Sequence, residues 1–135
     1  MDGVIPSIRE AVSQKEPFLA VVWFHTPHAP VVDPQQVSDV DSSDACKDAI
    51  EAMDTQIGRL RAELDTLGIR NNTMLWFTSD NGPAHKTDSP NESDSSRSIR
   101  SGGFHKRKHS LFEGGVRVPG ILEWPWGGEN VPCSA

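Results

Sequence analysis

Asp80 and Asn81 lie in the tetrad Ser79-Asp80-Asn81-Gly82, which follows directly on the apolar, β-leaning run Asn72-Thr73-Met74-Leu75-Trp76-Phe77-Thr78. A carboxylate and a side-chain amide oxygen are hard donors, suited to Ca²⁺ or Mg²⁺. Asp-Asn-Gly is also ordinary turn chemistry, so the tetrad alone is open to both readings. His25 and His28 form a second candidate group, in His25-Thr26-Pro27-His28-Ala29-Pro30. They follow the unbroken apolar run Phe18-Leu19-Ala20-Val21-Val22-Trp23-Phe24. An imidazole can supply a proton near neutral pH, and the two prolines stiffen the loop that carries it. The third group is Lys106-Arg107-Lys108-His109, followed by Ser110 to Pro119 with the pair Gly114-Gly115. It offers cations for an anionic group, although on charge alone such a run reads as a solvated face.

These groups need elements to position them. Residues 4–14 are expected to be a short amphipathic helix with Ile5, Ile8 and Val12 on one side. An apolar run without alternation reads as a strand buried on both faces, as in parallel sheets, so a first strand is expected at 17–24. Residues 25–43 read as a long loop. A helix follows at about 44–67, with Ile50, Met53, Ile57, Leu60, Leu64 and Leu67 at alternating steps of three and four. That spacing is one helix face, with Ser42, Ser43 or Asp44 to cap its start and Gly68 to close its end. A second strand is expected at 73–78 and a third near 118–123. Strand, helix, strand is a βαβ unit with parallel strands. In open α/β sheets ligands bind at the carboxyl ends of the strands, so the topology predicts His25 and His28 on the same edge as Asp80 and Asn81. The Ser-, Asp- and Asn-rich stretch 84–103 reads as a mobile loop. One long and one short helix cannot cover both faces of such a sheet, so part of it is expected to remain exposed.

The chain has 135 residues and a formal net charge of −6. That is enough for one small domain, and it argues against nucleic acid as a partner. No apolar run is long enough for a membrane span. The start, Met1-Asp2-Gly3-Val4, carries neither the basic nor the apolar region of a signal peptide. Cys46 and Cys133 stand in unrelated contexts and indicate neither a disulfide framework nor a zinc site. The stretch from Asp39 fails as a calcium loop. Its sixth position is Asp44 instead of glycine, and its twelfth is Ile50 instead of Glu.

Four segments, in order, resemble a sulfatase of the arylsulfatase type. They are Pro17 to Pro30, the helix with Met53-Asp54-Thr55-Gln56-Ile57-Gly58-Arg59-Leu60, Thr73 to Pro83, and Lys108 to Pro125. The resemblance covers about 17–126. It implies an α/β fold of the alkaline-phosphatase-like kind, a mostly parallel sheet flanked by helices, present here as one partial catalytic domain over 1–135. It also implies hydrolysis of sulfate esters with a divalent cation, usually Ca²⁺ (alternatively Mg²⁺), and a formylglycine nucleophile. The substrate would be a sulfated small molecule or carbohydrate, and such proteins are usually exported. By residue, the resemblance implies that Asp80 and Asn81 are metal ligands. It makes His28 a sulfate contact that can protonate the leaving oxygen. Lys108 becomes a contact to sulfate and leaving group. His25 is left structural, and Glu113 and Arg117 are expected to pair around the glycine turn.

The nucleophile motif of the family, Cys/Ser-x-Pro-Ser-Arg, fits neither Cys46, nor Cys133, nor Pro6-Ser7-Ile8. The paired aspartates that complete the family's metal site are also missing from these residues. The sequence is therefore expected to be a fragment carrying about half an active site, inactive alone, with the formylglycine in a missing N-terminal part. Two alternatives stand beside it. One is a phosphate- or phosphonate-ester hydrolase of the same superfamily. The other is a non-catalytic anion-binding remnant.

Overall fold

Ile5, Ile8 and Val12 recur at helical spacing, and a computed structural model makes Val4–Gln14 a helix, α1. It describes residues 1–28, 43–84 and 102–125, with the side chains of 43–46 outside that description. Pro6 falls in the first turn of α1, where its missing N–H costs nothing. The Met1 carbonyl accepts from the N–H groups of Val4 and Ile5, both at 3.1 Å. Lys15 ends the helix in the left-handed region, at φ 59°. Its N–H bonds to Val12 and that of Glu16 to Ala11, the paired closure usually built on glycine.

The long helix α2 runs Ser43–Thr66, as its periodicity predicts. Gly68 closes it at φ 67°, with Gly68 N–H on Asp65 O at 3.0 Å and Ile69 N–H on Leu64 O at 3.1 Å. Its buried face holds Ala49, Leu60 and Leu64. Ile50 was expected on that face but is 48% exposed, because Ala49 takes the inward position one residue earlier. A 3₁₀ turn, Arg70–Asn72, follows α2.

The described residues divide into two units, one of Met1–Thr73 with Pro125 and the other of Met74–Trp124. In the first, α1 contributes Ile5 and Ile8 to the core, and two ion pairs tie α1 and the residue Asp2 ahead of it to α2. Arg9 grips Glu63 in a two-pronged bond, Nε to Oε1 at 2.7 Å and Nη2 to Oε2 at 2.6 Å. Arg59 Nη2 donates to Asp2 Oδ1 at 2.9 Å. The hydrogen bond from Arg9 holds the Glu63 carboxyl below its ordinary range, and the bond to Glu63 raises Arg9 in turn. Arg59 lowers Asp2 in the same way, by its hydrogen bond and then its charge.

The second unit holds the described sheet. Strand β1, Leu75–Thr78, and strand β2, Gly120–Glu123, pair antiparallel, with Leu75 opposite Glu123 and Thr78 opposite Gly120. Between them lies the one-turn helix α3, Glu113–Val116. The expected mostly parallel sheet is not confirmed: among the described residues the pairing, between the expected second and third strands, is antiparallel. The strand expected at 17–24 is corrected. Those residues join no described strand, and Leu19 and Trp23 are each 90% exposed. The reason is physical. A doubly buried strand needs neighbouring strands and a layer on each face. The described elements of its own unit are all helical, so no ladder is available, and residues 18–21 instead line a groove with α1. Most of the expected loop 84–103, and of 25–43, lies outside the described residues. No described helix is long and apolar enough to cross a membrane.

Candidate functional site

Ser79 to Gly82 leave the C-terminal end of β1, as the sequence predicts. Their side chains brace the turn. Ser79 Oγ donates to Asn81 O at 3.0 Å, and Asn81 Nδ2 donates to Gly82 O at 2.9 Å. Asn81 is half-buried and Asp80 is exposed. The turn reading and the ligand reading of the tetrad are therefore compatible, because Ser79 and Asn81 build the turn that carries Asp80.

Gly82 is buried, and its N–H donates to Gly115 O at 2.8 Å. A Cβ there would collide with the Gly114 carbonyl. Gly114 bonds through its N–H to His105 O at 2.8 Å, and a Cβ on it would strike the Lys106 carbonyl. A Cβ on Gly115 would strike the Ser110 carbonyl. Three glycines thus let the backbone of 105–115 close onto Gly82-Pro83. Lys108 N–H donates to Pro83 O at 3.1 Å. The chain thereby brings Lys108 to the segment of Asp80 and Asn81, although the sequence separates them by most of the unit.

The basic run has a constrained backbone. Lys106 and His109 sit at φ 66° and 71°, a region that non-glycine residues rarely enter. Aromatic rings engage its neighbours. Lys106 Nζ lies 5.3 Å from the Phe112 ring centre, His105 meets the same ring edge-on at 4.8 Å, and the Arg117 guanidinium stands 4.6 Å over Phe104. Glu113 and Arg117 form the expected pair, at 3.6 Å across one turn. Lys108 itself is half-buried. This is more order than a solvated basic face requires. Sequence reading missed Phe104 and Phe112, which flank the basic run, and the role of Gly82 as a point of backbone contact.

His28 belongs to the first unit. It is exposed, its N–H donates to His25 O at 3.0 Å, and its ring centre is 5.9 Å from that of His25. The second unit holds Asp80, Asn81 and Lys108.

Asp80 and Asn81 have the donor chemistry of a hard-cation site but provide few of the six to eight oxygens, roughly, that Ca²⁺ takes. Among the described residues no group of three or more His, Cys, Asp or Glu side chains could hold a metal. The two residues match such a site in donor type, and the described residues do not complete one.

A glycine-supported turn thus carries Asp80 and Asn81 and meets the backbone of Lys108 at Pro83, and comparison with known proteins places the chain. The sulfatase family profile matches residues 2–130. Rat steryl-sulfatase is 37% identical over 110 residues, covering 80% of this chain and 18% of that protein. Mouse N-acetylgalactosamine-6-sulfatase is 35% identical over 113 residues, covering 84% and 21%. Human arylsulfatase H is 32% identical over 113 residues, covering 83% and 20%. The chain belongs to the sulfatase family, a family of sulfuric ester hydrolases that generally use a metal cation and have an alkaline-phosphatase-like α/β fold. It spans about a fifth of the length of these relatives.

Proposed function

We propose that this chain is part of an enzyme that hydrolyses sulfate esters, and that it supplies cation ligands and sulfate contacts to the active site. The reading rests on family membership together with one observation, the Lys108 N–H bond to Pro83 O. In this reading Asp80 and Asn81 hold a divalent cation, Ca²⁺ or Mg²⁺, through Oδ oxygens. When bound, the cation supplies Lewis acidity and orients the substrate. Lys108 donates from Nζ to the sulfate and offsets the charge that grows on the leaving oxygen. Fixed cations are most effective there when bound substrate displaces water from around them. His28 donates a proton to the leaving oxygen, which departs as the alcohol or phenol. The nucleophile, a formylglycine, comes from outside these residues, which form one partial catalytic domain.

The substrate is a sulfated small molecule or carbohydrate. The chain alone is expected to bind an aryl sulfate without hydrolysing it. Amide chemical shifts would be followed in the purified chain with Ca²⁺ present, on adding a chromogenic aryl sulfate. Movement of Asp80, Asn81 and Lys108 that disappears in Lys108→Ala supports the reading. Equal binding in Lys108→Ala, tighter binding of the aryl phosphate, or turnover that vanishes in Asp80→Ala would overturn it, the last by placing the nucleophile within this chain.

A further inference from the structure

His25 and His28 bracket a tight turn, closed by the His28 N–H bond to His25 O at 3.0 Å. The two imidazoles lie with ring centres 5.9 Å apart and planes tilted by 38°. Both residues are exposed, so dissolved ions can reach them. A cation about 2.0–2.1 Å from one nitrogen of each ring would lie roughly 3 Å from each ring centre, so two rings on one ion have centres roughly 5–6 Å apart. The observed separation falls in that range before any metal arrives.

We propose that His25 and His28 form a two-imidazole chelate for a borderline transition metal such as Zn²⁺, Cu²⁺ or Ni²⁺. Imidazole nitrogen suits these ions, whereas Ca²⁺ and Mg²⁺ take hard oxygen. The site is chemically distinct from Asp80 and Asn81, and it shares His28 with the proposed catalysis, so a metal held here would occupy the imidazole that donates the proton there. Water completes the coordination, as at an open metal position. The turn reduces the ordering that binding must impose, because the rings are already close.

The test is a ZnCl₂ titration of the whole chain, read from the imidazole resonances of His25 and His28 at neutral pH. The two are expected to shift together and saturably, while CaCl₂ leaves them unmoved. Losing a ligand costs at least what losing a ligand's outer partner costs, so His25→Ala should bind Zn²⁺ about tenfold to hundredfold more weakly, or worse. His109→Ala should bind as the parent does. A His28→Ala variant guards against a single-histidine effect, since it should lose binding as His25→Ala does. Resonances of His25 and His28 that stay fixed during the titration would overturn the proposal. Undiminished binding in either of the two alanine variants would also overturn it.

Discussion

A methyl group on Gly82 would occupy the space of the Gly114 carbonyl oxygen, and the neighbour it meets is backbone, which cannot swing aside. The Gly82 N–H bond to Gly115 and the Lys108 N–H bond to Pro83 depend on that approach. Gly82→Ala should therefore destabilise the chain by about 1–3 kcal/mol, the usual cost of overpacking, and should shift the Lys108 amide resonance. Gly58 is the internal comparison. It lies within α2 with nothing near its missing Cβ, so Gly58→Ala should stabilise by about 0.5–1 kcal/mol. Urea melts of the three proteins decide the matter, and a Gly82→Ala chain as stable as the parent would show that the contact is not needed. Asp80 and Asn81 were legible as candidates from residue type and their position at a strand end, whereas Lys108 was singled out of its basic run only by the family resemblance, through its spacing to Glu113-Gly114-Gly115. The closure between them was not legible. It is made by backbone groups of Gly82, Pro83, Lys108 and Gly115, whose pairing depends on the folded path of the chain.

Helices were the readable elements. Periodicity and a closing glycine mark α2 in the sequence, and the structure ends it at the bonds around Gly68. The strands were harder, since Phe18 to Phe24 has the composition of a buried strand but no ladder among the helices of its own unit. Composition reports what a segment can bury, whereas pairing depends on what the rest of the chain brings beside it. The attachment of α1 to α2 was also hidden, because Arg9 and Glu63 are ordinary charged residues until the two helices meet. Their bond lowers the Glu63 carboxyl, which fixes the sign of its pH dependence. A lowered carboxyl contributes stability above its unfolded-state pKa and loses that contribution as pH falls through the folded value. The melting temperature should therefore fall on acidification through and below the ordinary glutamate range. In Glu63→Gln this part of the fall should be missing, while the melting temperature at neutral pH should be lower than the parent's. Parallel melting curves at all pH values would sink the assignment. Added salt should shrink the difference, because Arg9 is well exposed.

At the scale of the molecule the chain exposes much apolar surface. Trp76 is 61% exposed, Ile121 60% and Leu122 48%, on a sheet that has two strands among the described residues, and Leu19 and Trp23 are each 90% exposed. A two-stranded sheet is marginal by itself, and apolar patches of this kind favour association. Opposing this is the net charge of −6, which keeps copies apart. The two effects respond oppositely to salt. Screening shortens the reach of the charges to about 10 Å at 0.1 M and leaves apolar contact intact. Sedimentation should therefore show association that grows with protein concentration and also with NaCl. Calcium should do little to this balance. Stabilisation by a ligand follows its concentration relative to its dissociation constant, and a site resting on Asp80 and Asn81 alone is poor. At about 1 mM Ca²⁺, where extracellular calcium modules fill, the melting temperature should be essentially unchanged. A monomer at every salt concentration, with a melting temperature raised several degrees by Ca²⁺, would overturn both expectations. It would mean that further oxygen donors of this chain complete a site around Asp80, and that the exposed apolar residues are covered in solution.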